Sequence, residues 1–213
     1  MKITKYGHAC LFVEEGEARI LIDPGIWNPL PDAENLDMVL ITHEHQDHVD
    51  VGQLRQVLER NPDAHVLTHE GVGELLKKES IPYLPIEAGG RADVKGVCVE
   101  SVGTDHAVIY GDTSPCRNTG FLVAGRLFVP GDALHDVPEG VEILALPTGA
   151  PWMKLAEAID YAKAVKPRVV FPVHDAMYTD GYQRGLIPRI IGGALKEAGI
   201  EFHDLPQGGS VSF

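Results

Sequence analysis

The sequence predicts an α/β protein, in which short strands alternate with amphipathic helices. The clearest strand signal is Met38–Ile41, an apolar run with β-branched residues that suits a strand buried on both faces. A helical pattern follows, with Asp50 as a candidate N-cap and an apolar face that continues up to Arg60. The chain has 213 residues, of which 44% are hydrophobic, so a single shared core is feasible.

The same patterns place the remaining elements along the chain. Further strands are predicted at Lys2–Tyr6, Ala9–Glu14, Ala18–Ile22, Ala64–Thr68, Tyr83–Ile86, Ala92–Val94, Gly96–Gly103, Asn118–Ala124, Arg126–Val129, Val141–Leu146 and Arg168–Val173. Further helices are predicted at His69–Lys78, Lys154–Val165 and Gln183–Ala198, with Gly199 as the stop signal of the last helix.

A cluster of metal-ligand residues lies between the strand at 38–41 and the helix after it. His43, His45, Asp47 and His48 fall within six residues. Imidazoles and a carboxylate are the ligands that Zn²⁺ prefers, and four so close in sequence would crowd one cation but can be shared between two. The simpler interpretation is a polar surface loop that is rich in histidine. The density of the pattern favours a metal site.

Composition excludes several other classes. A net charge of −13 disfavours a general nucleic-acid binder, because phosphate contacts need Lys and Arg. No apolar run is long enough to span a membrane, and the N-terminus shows no signal-peptide pattern, so we expect a cytoplasmic protein without a membrane partner. Cys10, Cys98 and Cys116 are expected to be reduced thiols. The sequence leaves the oligomeric state open, and a homo-oligomer is possible.

The run His43-x-His45-x-Asp47-His48 resembles the signature of the metallo-β-lactamase superfamily. Among its members the chain is most similar to the group of uncharacterised metal-dependent hydrolases that resemble L-ascorbate-6-phosphate lactonase. The resemblance implies a single domain over residues 1–213. It implies a four-layer αββα sandwich of two mixed β-sheets with helices on the outer faces. A dinuclear metal site would lie between the sheet edges.

The resemblance also implies the other ligands. His106, after a strand, is in register for a third histidine, and His174 lies in the Pro-x-His setting of the last one. Gly131-Asp132 matches the Gly-Asp that bridges both metals, and we prefer it to Gly111-Asp112 because an apolar strand leads into it. One metal would then bind His43, His45 and His106; the other would bind Asp47, His48 and His174; Asp132 would bridge them.

Three residues are candidate substrate contacts. His8 follows the first predicted strand in a Gly-His pair, which in related groups lies near the metals, although a structural turn residue is an equal alternative. Trp152 could wall a substrate pocket or pack over the start of a helix, and Tyr178 follows His174 by four residues. Asp23, in an Asp-Pro-Gly turn, would support the metal loop without binding metal.

The function that the resemblance implies is metal-dependent hydrolysis of a small-molecule substrate. A hydroxide that bridges two divalent metals, Zn²⁺ by preference with Mn²⁺ as the alternative, would attack an ester, lactone or phosphoester. Asp47 would act as a catalytic residue by orienting this nucleophile. The alternatives are a non-catalytic metal-binding or sensing module on the same fold and an RNase Z-like phosphodiesterase, which the acidic charge disfavours.

Overall fold

The computed structural model describes residues 1–179, 181 and 185–213. Its first sheet has seven strands in the order β14-β1-β2-β3-β4-β5-β6. Pairing is antiparallel from β14 to β3 and parallel from β3 to β6. The strands are β1 (Lys2–Gly7), β2 (Cys10–Glu15), β3 (Ala18–Ile22), β4 (Met38–Ile41), β5 (His65–Thr68), β6 (Leu84–Pro85) and β14 (Ser210–Ser212).

The second sheet also has seven strands, in the order β13-β12-β11-β10-β9-β8-β7. Pairing is antiparallel from β7 to β10 and parallel from β10 to β13. The strands are β7 (Arg91–Val94), β8 (Val97–Val102), β9 (Gly120–Val123), β10 (Leu127–Val129), β11 (Ile143–Pro147), β12 (Val169–Val173) and β13 (Glu201–Phe202). Both sheets are therefore mixed, as predicted.

The helices cover the outer faces of the two sheets. They are α1 (Val51–Arg60), α2 (Glu70–Lys78), α3 (Leu155–Val165) and α4 (Ile187–Lys196). One buried cluster, which includes Leu40 and Phe171, joins the inner faces of both sheets. A second cluster packs α1 and α2 on the first sheet, and a third packs α3 and α4 on the second. This layering is the predicted αββα sandwich.

The structure can be compared with the predicted helix starts and strands one by one. Asp50 is the N-cap of α1, and its carboxylate accepts the Gln53 N–H at 2.7 Å. Helix α2 begins at Glu70, because His69 is its N-cap. Strands β13 and β14 were not predicted from the sequence. Of the predicted helix at 183–198, residues 183 and 184 lie outside the described part of the chain.

None of the helices in the described ranges has the length and apolar character that crossing a bilayer would require.

A close backbone approach fixes the loop that carries the histidine cluster. Residues 23–26 run beside it, with hydrogen bonds from Ile26 N to Gln46 O at 2.9 Å and from Asp50 N to Pro24 O at 3.0 Å. A Cβ atom on Gly25 would overlap the backbone of Asp47 and His48. Only glycine allows the two segments to lie this close.

Gly25→Ala should therefore displace the loop and lower the free energy of unfolding by about 1–3 kcal/mol. The matched control is Gly193→Ala in α4, where a Cβ has open space and should stabilise the helix by up to about 1 kcal/mol. Urea denaturation measures both variants. Equal stability of the two alanine variants would contradict this account of Gly25.

Candidate metal centre

Five loops at one edge of the sandwich bring histidines and aspartates together in two groups. These loops follow β1, β4, β8, β10 and β12. Within each group, one candidate ligand atom from each residue lies within 4.8 Å of the others. The first group is His43, His45, His106 and Asp132, and the second is His8, Asp47, His48 and His174. All seven predicted ligands are in these groups, and metal binding by them stays a prediction.

Asp132 belongs to the first group and also lies close to two histidines of the second. Its Oδ1 is 3.1 Å from His48 Nε2, and its Oδ2 is 3.3 Å from His106 Nε2 and 3.1 Å from His174 Nε2. Its carboxylate therefore contacts the first group through His106 and the second through His48 and His174. Asp112, the alternative Gly-Asp residue, is exposed and belongs to neither group.

Four buried nitrogen and oxygen atoms of the two groups lack a partner that a bound cation would supply. His48 Nε2, His106 Nε2, His174 Nε2 and Asp132 Oδ1 are buried and have no aligned hydrogen-bond partner, despite the short distances to Asp132. A buried polar atom without a partner is costly. Nitrogen and oxygen atoms that converge on shared space without facing each other are arranged like ligands of an ion. The donor set fits a divalent metal such as Zn²⁺.

In three histidines, an oxygen that accepts a hydrogen bond from Nδ1 sets the tautomer, so that Nε2 is the atom that can bind a metal. His48 Nδ1 lies 2.7 Å from Asp23 Oδ2, His106 Nδ1 lies 2.6 Å from Ala107 O, and His174 Nδ1 lies 2.6 Å from Gly149 O. Each acceptor can only receive a hydrogen, so Nδ1 must donate. In the neutral ring, the Nε2 lone pair is then free to bind a cation.

The tautomer of His43 is set in the same way, with a hydroxyl oxygen as the acceptor. Thr42 donates its hydroxyl hydrogen to Asp23 at 2.7 Å, so its oxygen can accept from His43 Nδ1 at 3.1 Å. His43 Nε2 then lies 3.1 Å from His45 Nδ1. These two nitrogens converge, which favours Nδ1 as the ligand atom of His45. The other ring nitrogen of His45 lies 3.8 Å from Cys116 Sγ.

His8 belongs to the second group by distance but has the opposite tautomer. Its Nδ1 accepts the Ala176 backbone N–H at 3.2 Å, and a backbone N–H can only donate. Nε2 of the neutral ring therefore carries the hydrogen and donates to Asp47 Oδ2 at 3.3 Å. His8 is buried, and it positions the Asp47 carboxylate. Its contact with a substrate stays a prediction.

Protonated histidines offset the negative charge of the buried carboxylates in the site. Burial alone would lower the pKa of His174, but Asp132 and Asp47 raise it to about 9. Asp132 and Asp23 likewise raise the pKa of His48 above its ordinary value, against the effect of burial. Burial would raise the pKa of Asp132, yet His48 and His174 hold it well below the usual range. Burial lowers the pKa of His43, which is neutral and ready to bind a cation.

Trp152 contacts a residue of the site directly, and Tyr178 contacts the loop whose Gly149 carbonyl orients His174. Trp152 Nε1 donates to Asp132 Oδ2 at 2.7 Å, so the indole fixes the shared carboxylate as well as edging the space beside it. The Tyr178 hydroxyl donates to Thr148 O at 3.0 Å, next to Gly149, whose carbonyl orients His174. Substrate contact by either residue stays a prediction.

Sequence reasoning missed two residues that join the loops. Thr42 links Asp23 to the histidine loop, and its backbone carbonyl accepts the N–H of Thr119 at 2.9 Å. Asn118 Oδ1 accepts the Asp132 N–H at 3.0 Å, and Asn118 Nδ2 donates to Pro130 O at 2.9 Å. Both residues lie beside motif residues in the sequence, and that adjacency was the available signal.

His65, His69 and the cysteines lie outside the two groups. His69 donates to Thr42 O at 3.1 Å and is buried, whereas His65 is exposed on β5. Cys10, Cys98 and Cys116 are free thiols.

An αββα sandwich with two imidazole and carboxylate groups at one sheet edge defines a metallo-β-lactamase-type protein. Residues 2–174 match the sequence model of the family described as the beta-lactamase superfamily domain. The chain belongs to this superfamily.

Known relatives match most or all of the chain. Protein Rv0786c of Mycobacterium tuberculosis is 35% identical over 100% of both chains. The UPF0173 metal-dependent hydrolase Ta0764 of Thermoplasma acidophilum is 27% identical over 82% of this chain and 83% of its own. Among solved structures, Igni18, a metallo hydrolase of Ignicoccus hospitalis, is similar with a TM-score of 0.78 and 23% identity, covering 100% of this chain and 97% of that chain. This last likeness shows the fold.

Asp23→Asn should weaken the binding of Zn²⁺ in the second group by about 10–100-fold, because the acceptor that orients His48 loses its charge. The control is Asp37→Asn at the opposite end of β4, where the carboxylate accepts the Arg19 N–H. Competition with a chromophoric chelator measures both affinities. Equal affinities in the two variants would show that Asp23 does not orient a ligand.

Zinc binding at pH 7 should release protons. His174, with a pKa of about 9 in the metal-free protein, must lose its proton before Nε2 can bind a cation. The apparent affinity should therefore fall as the pH falls from 9 towards 6. Calorimetry in buffers of different ionisation enthalpy counts the protons released. A binding heat independent of the buffer would contradict the assigned charge state.

Proposed function

We propose that the protein is a metal-dependent hydrolase that holds two divalent cations, Zn²⁺ by preference, and cleaves a small ester, lactone or phosphoester. The convergence of two ligand groups on one shared carboxylate carries this proposal. His43, His45 and His106 would hold one cation, and Asp47, His48 and His174 the other, with Asp132 between them. Imidazole-rich donor sets favour Zn²⁺ over Mn²⁺. The name of the Thermoplasma relative, a metal-dependent hydrolase, supports the same class.

Two bound cations would supply a hydroxide at neutral pH and polarise the oxygen of the scissile group. The chain's own residues hold the geometry for this chemistry. Burial would raise the pKa of Asp47, but the nearby charge of His174 and the hydrogen bond from His8 lower it, so the carboxylate is ionised. An ionised carboxylate can accept a hydrogen bond from the attacking water and orient it.

Trp152 also positions a carboxylate of this centre. Its indole N–H donates to Asp132 Oδ2, and this hydrogen bond restrains the rotation of the carboxylate. Six of the eight residues in the two groups are buried, whereas His45 and Asp47 are partly exposed. Burial of most of the site strengthens electrostatic interactions within it.

The zinc-reconstituted protein should contain about two metals per chain. Asp132→Asn should lower the content of both sites, because the shared carboxylate offsets charge in both groups. Asp112→Asn, the matched control at the other Gly-Asp, should retain two zinc ions. Elemental analysis after gel filtration measures all three proteins. Two metals in Asp132→Asn and fewer in Asp112→Asn would reverse the assignment of the bridging residue.

Turnover distinguishes an enzyme from a non-catalytic metal-sensing module. The two-zinc protein should hydrolyse at least one member of a panel of esters, lactones and phosphodiesters, and Asp132→Asn should abolish that activity. A fully loaded protein that cleaves none of them would support the sensing module instead.

A further inference from the structure

A cleft leads away from His106 and contains two adjoining cavities. They have volumes of about 750 and 610 Å³ and share Ala107, Val108 and His135 in their walls. We call them the inner and the outer cavity. His106 itself lines the inner cavity, so the cleft begins at the first ligand group.

The inner cavity is acidic. Glu44, Asp105 and Asp112 line it, and its guanidinium group, on Arg117, is paired with Glu87. Carboxylates along an entrance repel an anion and hydrogen-bond or tolerate a neutral group. A phosphate or carboxylate on the substrate would therefore meet a wall of like charge on its way to His106.

The outer cavity is mainly apolar. Its walls include Val108, Leu134, Val137, Trp152, Tyr161 and Ala164, and the polar residues His135, Glu157 and Asp160 complete them. Val108 and Val137 are 42% and 46% exposed, which is high for valine and leaves apolar surface for a ligand to cover. The volume lies in the range of small-molecule sites. Trp152 joins this cavity to the metal centre, because its ring lines the cavity while its N–H contacts Asp132.

We propose that the substrate is an uncharged carboxylic ester or lactone whose apolar acyl part binds in the outer cavity. This inference rests on the proposed function and narrows its substrate class, because it excludes phosphoesters and anionic esters. Hydrolysis forms a bond between the carbonyl carbon and the water oxygen and breaks the acyl carbon–oxygen bond. One water proton passes to the leaving alkoxide, so an ester gives a carboxylic acid and an alcohol, and a lactone gives a single hydroxy acid.

The first test uses the full-length two-zinc protein with p-nitrophenyl acetate, butyrate, hexanoate and octanoate. The ratio kcat/KM should rise by up to about fourfold for each methylene group that enters the cavity. The butyrate should also exceed the hemisuccinate, in which a carboxylate replaces the terminal methyl group at the same acyl length, by at least about tenfold. A flat series, or a preference for the hemisuccinate, would overturn the inference.

The second test changes the wall of the outer cavity. Val137→Glu and Ala164→Phe should each lower the octanoate-to-acetate ratio of kcat/KM by at least about tenfold, the first by adding charge and the second by filling space. Both positions are exposed, so folding is preserved, and zinc content with thermal melting checks this. Ile190→Glu is the control, because Ile190 is 40% exposed on α4 and does not line the cleft. Equal ratios in Val137→Glu, Ala164→Phe and Ile190→Glu would overturn the inference.

The outcomes also separate this inference from the proposed function. Preferred cleavage of bis(p-nitrophenyl) phosphate over every ester would overturn the substrate class and support the metal-dependent hydrolase. No cleavage of any ester or phosphodiester by the two-zinc protein would overturn both.

Discussion

The structure depends on one buried carboxylate, that of Asp132, which is only 3% exposed. Three imidazole nitrogens, from loops of both sheets, lie within 3.3 Å of its oxygens. Concentrating so many polar atoms away from water is unfavourable unless opposite charge compensates them. Protons on His48 and His174 supply that charge in the metal-free protein, and divalent cations would supply it in the loaded protein.

The matching strand order of the two sheets explains how residues far apart in the sequence lie together at one edge. Strands β1–β6 of the first sheet and β8–β13 of the second are paired in the same order and with the same change from antiparallel to parallel. Loops at equivalent positions therefore meet at one edge. His8 and His106 follow equivalent strands, and so do Asp23 and Asp132. In the first sheet the members of these pairs orient other residues, and in the second they belong to the proposed ligand set.

Sequence reasoning recovered what local pattern encodes. The cluster from His43 to His48 is continuous in the chain. The family resemblance that this cluster carries implied His106, Asp132 and His174, and so the shared edge could be predicted. The role of His8 could not, because its tautomer is set by the N–H of Ala176, which is 168 positions away. Strands β13 and β14 have two and three residues, which is too short for a periodic pattern. The acidic and apolar cavities likewise arise from loops that only the fold brings together.

We expect two cations to bind, one on either side of Asp132. Anomalous diffraction from crystals of the zinc-loaded protein at the zinc absorption edge tests this most directly. We expect two peaks per chain. One should lie at bonding distance, about 2.0–2.2 Å, from His43, His45 and His106, and the other at the same distance from Asp47, His48 and His174. His8 Nε2 should bind neither metal. A single peak, or a peak bonded to His8, would contradict this two-metal site.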